Sequence, residues 1–257
     1  MKELDLSAEG FISILVQGIT GSGKTNFCGT AMETGTTAYF YADDKPPTTL
    51  RQKRFIDAQK SSNSKILQPD DSNDLIKYLT ALNGDSGANY DTCILDSLSR
   101  YQMFTQLDLL EGTKVKESNG NAVTKVNKPK DRMTQDDWNR LGIRMNRTMR
   151  LIPKNKMNII CTAQSMESLM KTGNNEFESK LKPALTGSFA NLIGGWFDIV
   201  AFMRALPEKN SEGKDIITYR MYFQPGYGYE AKSEYDLPEY IDNPSFGNLL
   251  KLINGGE

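Results

Sequence analysis

The octapeptide GITGSGKT at residues 18–25 constrains this chain more than any other stretch. An apolar run, FISILV at residues 11–16, precedes it, and a helix is predicted to begin at Lys24. In that order of strand, glycine-rich loop and helix, the loop turns backbone N–H groups inward around an anion. The helix N-terminus adds unpaired donors and the positive end of its dipole. The stretch matches G-x-x-x-x-G-K-[ST] at each fixed position, with Gly18, Gly23, Lys24 and Thr25. Lys24 is therefore expected to reach the β- and γ-phosphates of a nucleoside triphosphate, and Thr25 to ligate Mg²⁺. The expected nucleotide-binding segment is Gly18, Ile19, Thr20, Gly21, Ser22, Gly23, Lys24, Thr25 and Asn26.

A phosphate loop needs a sheet behind it, and 257 residues suffice for one α/β domain with a sizeable core. Lys and Arg number 31 against 32 Asp and Glu, so no global field draws the chain to nucleic acid or membrane, and any basic surface is local. The absence of histidine excludes Ser-His-Asp and Cys-His triads and His-ligated metals, leaving acid–base chemistry to carboxylates and lysines. Cys28, Cys93 and Cys161 are far apart, two of them inside apolar runs, which favours buried thiols in a reducing compartment. No apolar run is long enough to span a bilayer, and MKELDLSAEG lacks the apolar core of a secretory signal. A soluble, cytoplasmic protein without a membrane partner is the expectation.

Downstream, TTAYFYADD (36–44) reads as a strand ending in two acids. A helix is predicted over 72–83, with Leu75, Ile76, Leu79 and Leu82 at helical spacing and Asp70, Asp71 or Ser72 as cap. The run Thr92 to Leu95 delivers Asp96 at the edge of a buried strand, a natural Mg²⁺-orienting carboxylate. Residues 111–134 form a polar loop with six basic and three acidic residues. A helix over 136–152 follows, with Trp138, Leu141, Met145 and Met149 on one core-facing stripe. Strand KMNIICTAQS ends at Gln164, and a second polar stretch spans 165–187. The C-terminal part reads as a short helix, a strand and a hairpin-forming pair, ending in an exposed tail over 238–257.

Hydrolysis needs a group that positions or deprotonates water. Asp43, with Asp44 as its substitute, is the expected base, because strands beside a phosphate-loop strand end near the γ-phosphate in parallel sheets. Gln164 arrives at the same edge and is expected to sense the phosphate. NKPKD (127–131) has one residue too many for a guanine-reading N-K-x-D element and lies in a polar loop, so ATP is the default nucleotide.

Taken together, GITGSGKT, AYFYAD, ILDS, CTAQ and TGSFANLIGGWFDIVAFMR resemble a RecA-type ATPase core over most of the chain. More narrowly, the size is similar to that of compact bacteriophage RecA-like ATPases associated with single-strand annealing and recombination. The resemblance implies an α/β fold: a RecA-like P-loop core with a mostly parallel central sheet flanked by helices and an antiparallel C-terminal extension. It implies a Mg²⁺-dependent, DNA-stimulated ATPase that binds single-stranded DNA as a homo-oligomeric ring or filament. A single-stranded-DNA-binding protein is an implied partner, and the host cytoplasm is the implied location of a phage-encoded chain.

The family's two DNA-binding loops would fall at 111–134 and 165–187, with backbone contacts from Lys114, Lys116, Lys125, Lys128, Lys130 and Arg132. The family's base is normally a glutamate where Asp43 stands. Its K-x-R pair, inserted into the neighbour's site, corresponds to YEAKSEY, where Lys232 is kept and Glu234 replaces the arginine. The rival reading is a regulatory P-loop ATPase or small-molecule kinase that does not bind DNA. An AAA+ machine is disfavoured, because a helical lid domain should then follow the third core strand, where strands are expected here.

Overall fold

The computed structural model describes residues 10–43, 45, 47–111, 114–116, 122–124, 131–152, 156–171, 177–226 and 228–255. The elements in chain order are β1 (Ser13–Gly18), α1 (Lys24–Gly29), β2 (Thr37–Tyr41), α2 (Lys53–Ser61), β3 (Lys65–Leu67), α3 (Ser72–Asn83), β4 (Thr92–Asp96) and α4 (Leu98–Glu111). They continue with β5 (Lys114–Lys116), β6 (Ala122–Thr124), α5 (Gln135–Leu151), β7 (Asn158–Lys171), β8 (Phe177–Pro183) and α6 (Ser188–Leu192). The C-terminal part holds β9 (Ile199–Lys209), β10 (Asp215–Tyr222), β11 (Lys232–Ser233), β12 (Tyr240–Asp242) and α7 (Phe246–Ile253).

The sheet runs β12-β10-β9-β1-β7-β4-β2-β3. From β9 to β3 every neighbouring pair is parallel, whereas β10, β11 and β12 attach in antiparallel fashion. The strand bearing Gln164 therefore lies between the phosphate-loop strand and the strand bearing Asp96. This is the RecA-like P-loop architecture expected from the sequence, with its antiparallel C-terminal extension.

Parallel strands covered on both faces read as continuous apolar runs, and alternate residues go to opposite layers. Leu15, Phe40, Leu95 and Cys161 pack in one layer with Leu75 and Leu79 of α3 and Leu141, Met145 and Met149 of α5. Ile14, Val16, Tyr39, Ile94 and Ile160 pack in the other with Phe27 of α1, Phe55 of α2 and Phe246 and Leu249 of α7. Helix α3 occupies the expected span because Asp71 accepts from the N–H groups of Asn73 and Asp74, closing its first turn. Helix α5 opens with a reciprocal Thr134–Asp137 capping box. Trp138, expected on its buried stripe, is 39% exposed instead. The three cysteines are buried thiols, as expected.

Three expectations are corrected. Strand β7 does not stop at Gln164 but runs on to Lys171 and folds back through β8, from Ser165 opposite Pro183 to Lys171 opposite Phe177. The second polar stretch is thus largely a strand pair, since antiparallel backbone pairing needs no apolar pattern to form. The hairpin expected after residue 214 is formed by β10 with the preceding β9, through a turn closed by Asn210 and Gly213. The tail is docked, not exposed: β12 adds to β10, and α7 buries Phe246 and Leu249 after an N-cap at Ser245. Among the described residues no helix is long and apolar enough to cross a membrane.

Candidate nucleotide site

Because β1, β2, β4 and β7 are parallel, their C-terminal ends share one edge of the sheet. A cleft of about 430 Å³ opens there, lined by the phosphate loop, Tyr41 at the end of β2 with Ala42 and Asp43 after it, Asp96 at the end of β4 with Ser97 after it, Arg100, Gln164 and Tyr219. Gly18 is required by space, Gly21 by backbone angle and Gly23 by both. A Cβ at Gly18 would stand 2.4 Å from the Met203 carbonyl oxygen and 2.5 Å from Ser22 Oγ. Gly23 has φ near +95°, and a Cβ there would meet the Tyr219 ring at 2.7 Å.

Lys24 lies across the loop, its Nζ donating to the carbonyls of Gly18 at 2.7 Å and Ile19 at 2.9 Å and to Ser22 Oγ at 3.3 Å. Burial holds this ammonium below its usual pKa, with the Asp96 charge pulling the other way. An arriving polyphosphate would meet a partly desolvated cation already aimed at the loop. Asn26, at the far end of the segment, accepts from Arg54 Nη2 at 2.6 Å.

Asp96 is gripped by three hydroxyls. Thr25 Oγ1 and Tyr39 OH each donate to Oδ2 at 2.8 Å, and Thr162 Oγ1 donates to Oδ1 at 2.5 Å. Strand alternation explains the convergence: Tyr39, Asp96 and Thr162 all point to the α1 layer from the three adjacent strands β2, β4 and β7. Burial, and then the neighbouring Asp96 charge, push the Tyr39 phenol well above its usual pKa, so it stays protonated as a donor. The peptide bond between Asp96 and Ser97 is cis.

Thr25 and Asp96 fit the expected Mg²⁺. Both offer hard oxygen donors, and this ion keeps several waters and takes one or two carboxylates plus phosphates. Among the described residues no group of three or more His, Cys, Asp or Glu gathers into a metal cage. When bound, the ion would neutralise phosphate charge; the protein's share is to hold Asp96 still and supply Thr25.

Asp43 lies two residues beyond β2 in the cleft, its Oδ1 3.5 Å from Arg100 Nη2. Tyr41 stands beside them, its phenol pushed up to about 12 by burial first, then by the charges of Asp43 and Asp96, with Arg100 opposing. Asp44 lies outside the described residues. Gln164 lines the cleft with an exposed side chain and is level with Gly18 in the β1–β7 register. Its backbone N–H donates to Ser99 Oγ at 3.1 Å and its carbonyl accepts from Ala184 at 2.6 Å.

Lys232 is not part of this cleft. It pairs with Val200 in the β11–β9 register, and its Nζ is 3.3 Å from Glu234. Of the expected DNA-binding residues, Lys114 and Lys116 lie on β5, which pairs with β6. Arg132 is exposed just before the α5 cap, while Lys125, Lys128 and Lys130 lie outside the described residues.

Sequence reasoning missed Tyr39, Thr162 and Arg100. The first two were accessible from period-two alternation, since each sits on a strand flanking the Asp96 strand and on its face. Arg100 was accessible only once a helix is known to start at Leu98, which turns its first-turn residue back toward the strand ends.

Among curated proteins, none matches the chain in sequence. Among solved structures, the flagellar accessory protein FlaH from Methanocaldococcus jannaschii is similar at a TM-score of 0.47 and 13% identity, over 93% of this chain and 88% of that one. The AAA domain family matches residues 11–235, a span that contains the whole cleft. AAA+ machines were disfavoured on the segment after β7, and that segment is made largely of strands, β8 to β12, with the short α6 among them. With the match covering most of its length, the chain belongs to the AAA domain family.

Proposed function

We propose that this ATPase-type P-loop domain hydrolyses ATP with Mg²⁺, binds single-stranded DNA and promotes its annealing or recombination. It would do so as a homo-oligomeric ring or filament with nucleotide at subunit interfaces. The observation that carries the DNA half of this reading is the continuity of β7. One strand passes from the buried core, beside the nucleotide cleft at Gln164, out to the β7–β8 hairpin. A contact between Gln164 and the terminal phosphate would then bear directly on the hairpin's position, giving DNA affinity that depends on nucleotide state. The basic residues of 111–134 supply the backbone-neutralising charge, and Asp43 serves as the base.

The test is binding of labelled single-stranded DNA across a salt series, with and without a non-hydrolysable ATP analogue, alongside annealing of complementary strands. Six phosphate contacts from the six basic residues of 111–134 predict a slope of log K against log salt of about −4. Lys24→Ala should abolish nucleotide binding and the nucleotide dependence together. ATP turnover with no DNA binding at low salt would refute the DNA half in favour of a regulatory ATPase or small-molecule kinase.

A further inference from the structure

Phosphoryl transfer needs positive charge at the transferred group beyond the loop lysine and the metal, and an arginine supplies it in many P-loop enzymes. The resemblance places such an arginine at the position of Glu234, brought in by a neighbouring subunit. In this chain that position is an acid, held 3.3 Å from Lys232 and outside the cleft. Among the described residues that line the cleft, only Lys24 and Arg100 carry positive side chains.

Arg100 has the geometry of a waiting ligand. It sits in the first turn of α4, three residues after Ser97, whose Oγ accepts from the Arg100 backbone N–H at 3.3 Å. Its guanidinium is poorly satisfied. Nη2 lies 3.5 Å from Asp43, beyond good hydrogen-bond length, and Nη1 donates to the weak acceptor Met103 Sδ at 3.7 Å. Nε is buried and has no hydrogen-bond partner among the described residues. Buried donors left unmatched are uncommon and costly, and a planar fork matches phosphate oxygens.

We propose that Arg100 is a catalytic residue acting in cis, its guanidinium contacting the terminal phosphate of the nucleotide held by its own chain. This rests on the ATP-hydrolysing reading above. In the reaction the water oxygen bonds to the γ-phosphorus, and the bond to the β,γ-bridging oxygen breaks with its electron pair staying on ADP. The water proton passes to the Asp43 carboxylate and then to solvent. Drawing Arg100 toward phosphate loosens its hold on Asp43.

The experiment compares wild type, Arg100→Ala, Arg100→Lys and Lys232→Ala in steady-state turnover and in binding of ATP and of ADP with aluminium fluoride and Mg²⁺. Arg100→Ala should lose about a hundredfold or more in kcat and most of its preference for the aluminium fluoride complex over ADP, while ATP affinity changes far less. Arg100→Lys should recover only part, since an ammonium lacks the fork. Mixing Arg100→Ala with the nucleotide-binding-dead Lys24→Ala, which still carries Arg100, should not restore turnover. Restoration in that mixture would overturn action in cis, and undiminished turnover by Arg100→Ala would overturn the proposal altogether while leaving the ATPase reading intact. A wild-type chain that binds no triphosphate would remove both.

Discussion

The hydroxyl of Tyr39 and the hydroxyl of Thr25 donate to the same oxygen of Asp96, each at 2.8 Å, but the two donors differ in what nucleotide would do to them. Thr25 is expected to leave Asp96 for the metal, whereas Tyr39 sits in a fully buried ring and has nowhere else to turn. Tyr39 and Thr162 thereby fix the carboxylate's orientation after Thr25 departs. Tyr39→Phe keeps the ring and deletes only that hold. A hydrogen bond to a charged group contributes about 1.5–3 kcal/mol, so Mg²⁺-dependent ATP affinity should weaken by roughly tenfold or more. Affinity measured with excess chelator should be unaffected. Equal losses with and without Mg²⁺, read by titration of a fluorescent ATP analogue, would count against this role.

Asp43→Asn should leave ATP affinity within about twofold and lower kcat by about a hundredfold or more, the scale of a lost general base. Single-turnover hydrolysis compared with equilibrium binding separates the two effects. Wild-type turnover in this variant would pass the role of base to Asp44.

Lys24 predicts a proton-linked binding step. Its pKa is lowered by burial in the free protein, and a bound polyphosphate would raise it again. Between those values the complex holds more protons than the free chain, so binding takes up protons and affinity falls as pH rises through the window below 10.5. Folding of the nucleotide-free chain has the opposite sign, since the unfolded lysine holds its proton longer and stability rises with pH across that same window. Calorimetry at alkaline pH in two buffers of different ionisation heat would read the uptake directly; identical heats would contradict it.

Phe246→Ala empties a fully buried site where the ring meets Phe27 edge-on at 6.3 Å and its backbone N–H donates to Thr30 Oγ1 at 2.8 Å. The expected loss is about 3–5 kcal/mol, seen as a lower urea midpoint with an unchanged slope. Because Phe27 belongs to α1, ATP binding should weaken in parallel, whereas a substitution at Ile143, 69% exposed, should do neither.

Much of this molecule was legible in the sequence where a local signal coincided with burial. GITGSGKT requires its strand and helix, the run ending in Asp96 has few alternatives to a core strand, and α3 announces itself through spacing and cap. What was illegible depends on tertiary pairing. Nothing in SMESLMK says that it continues β7, since its polar and apolar residues follow no clean alternation and its place is set by pairing with β8. FGNLLKLI carries a helical apolar stripe behind a serine cap, yet it is too short to be stable alone and is decided by the groove it fills. Arg100 was hidden because its significance comes from the fold of α4 and from the acid at Glu234, not from any motif around it.

Helix α7 lies beyond the span shared with the family, yet it closes the flank of α1, more than two hundred residues earlier in the chain. During vectorial synthesis the N-terminal cradle therefore emerges with Phe27 uncovered, and that flank is sealed only once the segment around Phe246 has followed it. Competence for nucleotide is, on this architecture, acquired only after α7 has been made, and nascent chains stalled before residue 246 should be sticky, chaperone-dependent and blind to ATP.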